Sequence, residues 1–318
     1  MKIVSIGELL VDLTQTGINE NGVPQYSANP GGAPANVAVA ASLMGAQAAF
    51  IGKVGDDSFG RMLAETLISK NVDISALSFD KDAPTTLAVV SVDGKGERGF
   101  SFYRDNSADV KLSKTDADTR FIEKFRCLHF GSVSLTDEPS ASAVEYAVKQ
   151  AKEHGLLVSY DPNYRPLLWE SEEQAIKKMR ALLKFVDIIK VSDDEALLIT
   201  GESDIESAAK NLLDCGIGIV LVTLGEKGAY YLTEYASGYS EAFTGTVADT
   251  NGAGDTFTGT FLALAEDFDA LKRNENGVLQ DTVRFSCAAA GLSTRRSGAI
   301  PAMPDKDETE QFILHYCR

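Results

Sequence analysis

Short apolar runs rich in β-branched residues alternate along this chain with longer segments of helical periodicity. The runs are Lys2–Ile6, Ala48–Val54, Leu128–Val133, Leu156–Asp161, Ile188–Val191 and Ile219–Thr223. Their continuous apolar character is typical of strands that are covered on both faces. The helical segments are Pro34–Met44, Phe59–Ser69, Ser140–His154, Glu172–Lys184, Ile205–Cys215, Gly254–Glu266 and Gly277–Thr294. This alternation predicts an α/β fold with a mostly parallel central sheet flanked by helices.

Two segments break the alternation, Leu10–Pro30 and Thr85–Arg104. Both are polar at alternate positions and neither is bracketed by helices, so we expect them to form a small separate sheet. The alternative is that they add edge strands to the main sheet. Within the second segment, Asp93-Gly94-Lys95-Gly96 indicates a hairpin turn.

Composition narrows the class of protein. The 318 residues include 46 Asp and Glu against 30 Lys and Arg, a formal charge of −16, which argues against a nucleic-acid partner held by a broad basic face. No apolar run approaches the ~20 residues that span a bilayer, and Glu8 and Asp12 interrupt the apolar N-terminus, so neither a membrane span nor a signal peptide is expected. Widely separated cysteines without a C-x-x-C pair predict reduced thiols in a cytoplasmic protein and no zinc site. They are Cys127, Cys215, Cys287 and Cys317.

The stretch from Asp249 to Phe257 carries the strongest chemical signal. Gly252, Ala253 and Gly254 allow a tight turn, and the helix that follows would point its free N–H groups into one concavity, where its dipole favours an anion. Asp255 at the mouth of this cradle suits a base that takes a proton from an attacking hydroxyl. On these residues alone, a simple helix-capping role for Asp255 is an equal alternative.

A second glycine-rich stretch runs from Asn29 to Ala38. Gly31 and Gly32 permit close backbone approach, Pro34 opens a helix, and Asn36 falls in its first turn. By itself this pattern fits a plain Gly-Gly turn before a helix. It lacks the G-x-G-x-x-G spacing of a dinucleotide fold, and the chain has no G-x-x-x-x-G-K-[ST] motif, which disfavours a P-loop enzyme.

Together, the two stretches resemble the N-terminal and C-terminal signatures of the PfkB (ribokinase-like) carbohydrate kinase family, in the right order and at the usual separation. The resemblance runs from Gly7-Glu8 to Gly298-Ala299-Ile300-Pro301. Asn251 and Thr260 depart from the family pattern, which weakens any side-chain role at position 251. The resemblance implies a Rossmann-like three-layer domain (residues 1–9, 31–84 and 106–318) that carries a β lid (residues 10–30 and 85–105).

The resemblance also implies roles at matching positions. Asp255 would be the catalytic base, and the amides of Gly252, Ala253 and Gly254 would form the anion hole. The residues expected to bind the sugar are Asp12, Gly31, Gly32, Asn36, Tyr103, Arg104 and Arg165.

ATP and Mg²⁺ are the implied cofactors. The positions that resemble the family's nucleotide elements are Lys190, Ser192, Thr223, Gly225 and Gly228, with Ser192 in place of the usual Asn. Glu195 would hold Mg²⁺ through water. Asp249 and the carbonyls of residues 297–302 match the family's location for a monovalent cation such as K⁺.

Three segments look like motifs of the family's fructokinases, namely 102–109, 161–169 and 298–302. They favour transfer of the ATP γ-phosphoryl group to the 6-hydroxyl of D-fructose. The alternative is a 2-keto-3-deoxygluconate kinase or another ribokinase-like sugar kinase, because the sugar-acid kinases also carry Tyr-Arg at positions 103–104 and an Arg near position 165. A non-catalytic sugar sensor is disfavoured, since base and anion hole are both intact. The expected partners are a sugar and ATP, and the exposed lid edge allows a homodimer.

Overall fold

The computed structural model describes residues 1–92 and 98–316. Its strands, in chain order, are β1 (Lys2–Ile6), β2 (Leu10–Ile18), β3 (Pro24–Gly31), β4 (Gln47–Gly55), β5 (Asp73–Asp80), β6 (Leu87–Val92), β7 (Arg98–Tyr103), β8 (Cys127–Phe130), β9 (Leu157–Tyr160), β10 (Ile188–Ser192), β11 (Ile219–Thr223), β12 (Ala229–Leu232) and β13 (Ser237–Ser240). The helices are α1 (Ala33–Leu43), α2 (Ser58–Ser69), α3 (Thr119–Ile122), α4 (Ser140–Glu153), α5 (Glu172–Ala181), α6 (Asp193–Thr200), α7 (Ile205–Asp214), α8 (Ala253–Leu264), α9 (Phe268–Lys272), α10 (Val278–Ser293) and α11 (Lys306–Tyr316).

The large sheet has nine strands in the order β13-β12-β11-β10-β9-β8-β1-β4-β5. From β5 to β11 all neighbours are parallel, whereas β12 and β13 are antiparallel. Val4, Ile6 and Ile51 on its central strands are fully buried, as expected for a sheet covered on both faces. The predicted α/β fold with a mostly parallel central sheet is confirmed.

A second, four-stranded sheet stands apart from the large one, with the order β3-β2-β6-β7. Strand β2 pairs antiparallel with β3 and parallel with β6, and Asp12 lies opposite Asn29 and Ala88. The prediction of a separate sheet is therefore confirmed over the alternative of added edge strands. The predicted turn at residues 93–96 lies outside the described residues, and the lid boundaries inferred from the resemblance stay a prediction.

Most predicted elements are present, with different ends. Strands β1 and β11 match their predicted bounds, but the strand predicted over 128–133 ends at Phe130, because Val133–Leu135 forms a 3-10 turn. Strands β5, β12 and β13 and helices α3, α6, α9 and α11 were not predicted from the sequence. Strand β5 is partly exposed and mostly polar at alternate positions, so it lacks the continuous apolar run used to recognise buried strands.

Helices α1 and α8 pack against each other and position the site. In the fold α8 lies so close to α1 that a Cβ on Gly259 would stand 2.5 Å from the Ala40 Cβ and 2.6 Å from the Val37 carbonyl oxygen. Asn36 precedes Val37 on α1, and Asp255 lies one turn before Gly259 on α8. The glycine therefore lets the two helices bring Asn36 and Asp255 together.

The helices and the cysteines can be compared with what the composition predicts. Within residues 1–92 and 98–316, every helix is too short or too polar to cross a bilayer. Cys127 and Cys287 are buried and Cys215 is exposed, all three as free thiols, while Cys317 lies outside the described residues. The three do not pair with one another, as the sequence analysis expected.

Candidate active site

Asp255 is a buried carboxylate in the first turn of α8, with 7% of its surface exposed. Its Oδ2 accepts a hydrogen bond from Asn36 Nδ2 at 2.8 Å, and its Oδ1 accepts one from Asn163 Nδ2 at 3.3 Å. No side-chain cap is formed at the N-terminus of α8, where Gly252 is the N-cap residue. Among the described residues, the Asp255 carboxylate is thus held by two side-chain amides and forms no hydrogen bond to the start of its own helix.

Free backbone amides lie beside this carboxylate. Gly252 takes a left-handed conformation (φ 76°), which a side chain would disfavour, and it begins α8. The N–H groups of Gly252, Gly254 and Asp255 find no acceptor among the described residues, whereas the N–H of Ala253 donates to the Thr250 carbonyl at 3.3 Å. Of the three amides predicted for the anion hole, those of Gly252 and Gly254 are thus free, and the Asp255 amide is a free donor that sequence reasoning missed.

A buried ion pair stands behind the cradle. Lys190 Nζ lies 3.0 Å from Asp161 Oδ2, with both side chains below 10% exposed. A Cβ on Gly254 would lie 2.8 Å from Lys190 Nζ, so the ammonium group is next to the free amides. Thr258 donates to the same Asp161 oxygen at 3.3 Å. The positive charge of Lys190 and the amides of α8 therefore face one place that suits an anion.

The surroundings of Asp255 raise the pKa of its carboxyl from 3.8 to about 6. Burial is the main cause, and the negative charge of Asp161 adds to it. The hydrogen bond from Asn36 and the charges of Lys190 and Arg165 act in the opposite direction. A carboxylate with a pKa just below neutrality accepts a proton more readily than an exposed aspartate and is still ionised at pH 7.

A second carboxylate, Asp12, faces the cradle from the small sheet. Asn251 Nδ2 donates to its Oδ2 at 3.4 Å, which links β2 to the turn before α8. Burial raises the pKa of Asp12 to about 6, while the charge of exposed Arg165 lowers it. Since Arg165 acts on both Asp12 and Asp255, it lies near both carboxylates. The side chain of Asn251 thus has a contact that its departure from the family pattern had made unexpected.

The glycines predicted to bind sugar are close-approach positions. A Cβ on Gly31 would overlap the Asp12 carboxylate, and one on Gly32 would overlap the Glu8 carbonyl oxygen. Gly31 therefore leaves room for Asp12, which is part of the predicted sugar set. Gly32 lets the chain pass close to the Glu8 carbonyl at the start of α1, and its predicted role in sugar binding stays a prediction.

Tyr103 and Arg104 differ sharply although they are neighbours. Tyr103 ends β7 with 66% of its surface exposed, whereas Arg104 is 7% exposed. Arg104 donates to Asp109, Thr136, Asp137 and the Val133 carbonyl. All three nitrogens of the Arg104 guanidinium therefore donate to protein acceptors.

The predicted nucleotide residues lie at the ends of neighbouring strands. Ser192 ends β10 and Thr223 ends β11, which are paired directly opposite each other. The turn after β11 holds Gly225 and Gly228, and a Cβ on Gly228 would overlap the Ser240 carbonyl oxygen. Ligands of open α/β sheets bind outside the carboxyl ends of the strands, so this placement favours the predicted nucleotide role.

The candidate metal-binding residues are held by backbone amides. Glu195 accepts from Tyr164 N at 2.7 Å and from Ser192 N at 2.8 Å, in a capping box at the start of α6. Each of its oxygens keeps a further lone pair, which fits a Mg²⁺ ion held through water. Asp249 accepts from Asn251 N and Gly298 N, and so ties the two segments predicted to hold a monovalent cation. No cluster of three His, Cys, Asp or Glu side chains suited to a metal is present in residues 1–92 and 98–316.

Asp161 and Asn163 are site residues that sequence reasoning did not assign. Both belong to the Asp-Pro-Asn segment after β9, where the Asn163 N–H donates to Asp161 Oδ1 at 3.2 Å. Their position directly after a buried strand was the available signal, because strand ends at the carboxyl edge form the site in this type of sheet. Trp169 in the same segment is buried in the core.

A parallel α/β sheet that ends in a buried carboxylate, free helix amides and a lysine is the scaffold of an enzyme that transfers an anionic group. The chain belongs to the pfkB family of carbohydrate kinases, because the model of that family matches residues 1–306. The family confirms the resemblance inferred from the two glycine-rich stretches. It also makes the protein an enzyme, so the sensor alternative is not supported.

Relatives and solved structures agree with this family. A protein of Solanum lycopersicum named Fructokinase-2 is 42% identical over 309 residues, which cover 96% of this chain and 94% of the relative. The structure of a fructokinase with bound ATP from Xylella fastidiosa has a TM-score of 0.91 at 30% identity and covers 100% of this chain and 99% of its own. A fructokinase of Vibrio cholerae O395, solved with fructose, ADP and calcium, has a TM-score of 0.86 at 33% identity and covers 98% of each chain.

Proposed function

We propose that this enzyme transfers the γ-phosphoryl group of ATP to the 6-hydroxyl of D-fructose. The observation that carries the proposal is the buried Asp255, with a pKa of about 6, beside the free amides at the start of α8. The relatives named fructokinase, at 42% identity over nearly the full length, support fructose as the acceptor.

In the proposed reaction Asp255 accepts the proton of the attacking hydroxyl. Asn36 and Asn163 hold its carboxylate in place, each through a side-chain amide. The free amides of Gly252, Gly254 and Asp255, with Lys190, stabilise the negative charge on the transferred phosphoryl oxygens. A Mg²⁺ ion near Glu195 would add positive charge to the nucleotide phosphates.

The sugar would lie between the cradle and the small sheet, which we propose acts as a lid. Asp12 faces this space from β2 and can accept hydrogen bonds from sugar hydroxyls. Arg165 lies near both Asp12 and Asp255 and is exposed, and only its Nη1 donates to a protein acceptor in the described residues, the Tyr164 carbonyl, so it can still contact a sugar or a phosphate. A closed lid would exclude water, the competing phosphoryl acceptor.

The lid also offers a surface for a second copy of the chain. Its edge strands are β3 and β7, and Ile18, Val23, Tyr26 and Tyr103 are large exposed side chains on it. We propose a homodimer through this sheet, since an unpaired strand edge and exposed apolar groups both favour association. Light scattering would give the mass of a dimer in solution.

The buried thiols Cys127 and Cys287 fit the proposed cytoplasmic location.

An ADP-release assay over several acceptors tests the proposed function. We expect fructose to give the highest kcat/KM among fructose, ribose and 2-keto-3-deoxygluconate, and the product to be fructose 6-phosphate by NMR. Arg104, a candidate partner for the carboxylate of a sugar acid, already donates to protein acceptors, which supports the neutral sugar. A higher kcat/KM for the keto acid would transfer the assignment to a sugar-acid kinase.

A further inference from the structure

A buried polar network lies where the small sheet joins the large one. We call it the hinge network and define it as Glu8, Thr86, Arg104, Ser107, Asp109 and Ser134, all of them buried. Glu8 lies between β1 and β2, Thr86 directly precedes β6, and Arg104 directly follows β7. Three of the four chain crossings between the sheets thus contribute a polar side chain to it.

Arg104 is the centre of the network. Its Nε donates to Asp109 Oδ2 at 2.7 Å, its Nη1 to Thr136 Oγ1 at 2.6 Å and its Nη2 to the Val133 carbonyl at 3.2 Å. The side chains of Arg104 and Asp109 are 6% and 1% exposed. Because a buried ion pair with satisfied hydrogen bonds has few alternative geometries, it fixes the direction in which the chain leaves β7.

Asp109 extends the network to the chain entering β6. Its Oδ1 is contacted by the hydroxyl of Thr86 and, at 2.9 Å, by that of Ser107. The Ser107 hydroxyl also lies 2.8 Å from the Arg104 carbonyl oxygen. The Asp109 carboxylate thus ties the entry into β6 to the exit from β7, and Arg104 links both to the segment that contains Val133 and Thr136.

Glu8 brings in the remaining two crossings. Its Oε2 accepts from Ser134 Oγ at 2.8 Å, next to the residue whose carbonyl binds Arg104. The carbonyl oxygen of Glu8 packs directly on Gly32, at the crossing from β3 to α1. Every connection between the two sheets is therefore attached to one buried cluster.

We propose that Arg104 is a positioning residue that fixes the angle of the small sheet over the active site and does not contact the sugar. The inference rests on the proposed function only in naming the sugar. Loss of the Arg104 contacts in the hinge network would let the small sheet populate orientations that do not bind sugar. The apparent affinity for sugar then falls in proportion to the fraction of molecules that have the binding orientation. The turnover of the complex, once closed, is preserved.

The test compares Arg104→Gln with the milder Thr86→Val, which removes one hydroxyl contact to Asp109. Hydrogen exchange of the amides in residues 10–31 is measured without substrate, and fructose kinetics are measured at saturating ATP. We expect faster exchange in the small sheet for both variants, with the larger change in Arg104→Gln. We expect KM for fructose to rise by about 10-fold in Arg104→Gln while kcat stays within about 3-fold.

Lys152→Gln is the matched control. Lys152, on α4, forms an ion pair with Asp187 at 2.8 Å, and neither residue belongs to the hinge network. This variant should leave exchange in residues 10–31 and KM for fructose unchanged. If it changed them as much as Arg104→Gln does, the effect would come from general destabilisation and the proposal would be overturned.

Two further results would overturn the proposal. One is unchanged exchange in both hinge variants. The other is loss of fructose saturation with unchanged exchange, which would make Arg104 a direct sugar contact. Should Arg104→Gln fail to fold, Thr86→Val decides through the same two measurements. A wild-type protein that does not phosphorylate fructose would refute the proposed function, while the exchange comparison would still decide on the hinge.

Discussion

Two buried polar clusters of this protein contrast in how their hydrogen bonds are filled. In the active site, the Asn36 Oδ1 and the amides of Gly252, Gly254 and Asp255 lack partners among the described residues. In the hinge network, Arg104 and Asp109 are surrounded by protein partners. Buried polar groups are expensive to leave unpaired, so the open cluster indicates a ligand and the filled cluster a structural joint.

We expect the largest effect on activity from replacing Asp255 in the active-site cluster. Asp255→Asn keeps the shape of the side chain but removes the base, and we expect kcat to fall by about 10²–10⁴-fold. Asp307→Asn is a matched control, because Asp307 is an exposed carboxylate in the first turn of α11. Both variants should retain ATP binding by calorimetry. Near-normal turnover of Asp255→Asn would return Asp255 to a capping role.

Glu8 allows the filled cluster to be tested by pH. Burial raises its pKa from 4.5 to about 7, so the folded state binds its proton more tightly than the unfolded state. The resulting stability is present below pH 4.5 and is lost as pH rises through 7. Gln carries no such proton, so this loss is absent in Glu8→Gln. From pH 5 to pH 8, the free energy of unfolding of the variant should rise by about 2 kcal/mol relative to that of the wild type. Urea unfolding at the two pH values measures the change, and parallel pH profiles would contradict it.

Gly259 tests whether the open cluster depends on the contact between α1 and α8. Gly259→Ala would push the helices apart, since its Cβ meets the Val37 carbonyl at 2.6 Å. We expect a loss of about 1–3 kcal/mol of stability and a fall in kcat of roughly 10-fold, because Asn36 no longer holds Asp255. Gly218→Ala, whose Cβ meets the Phe268 ring at 2.7 Å, is a control for a clash outside α1 and α8. It should cost stability and keep kcat.

The smallest expected effect is a shift in the pH profile of kcat/KM when the charge of Asp161, next to Asp255, is removed. The wild-type kcat/KM should fall as pH drops through about 6, where Asp255 becomes protonated. Asp161→Asn removes a negative charge that raises the pKa of Asp255, so the acidic limb should move to lower pH by about one pH unit. Exposed Asp194→Asn should leave it unchanged. A shift to higher pH would show that Asp161 does not act through its charge.

The fold was largely predictable because its signals are local. Strands β1 and β11 are continuous apolar runs, and a strand buried on both faces needs such a run. Strand β5 was overlooked because polar residues interrupt its apolar ones, so it contains no continuous apolar run. The candidate site was predictable where one short segment carries the chemistry, as at Gly252 to Asp255. Asp161, Asn163 and Asn251 were not assigned, because their partners lie far along the chain.

The sequence by itself determined the α/β class, the separate small sheet, the family resemblance and the acid at position 255 next to its glycines. These depend on periodicity and on residues that are neighbours in the chain. Only the tertiary structure showed which groups Arg104 contacts. Its donors meet Asp109, Val133 and Thr136, and which acceptors a long flexible side chain reaches depends on how separate segments pack. A sequence pattern contains no such distances, and so it could not show that the guanidinium of Arg104, a predicted sugar-binding residue, donates to protein acceptors.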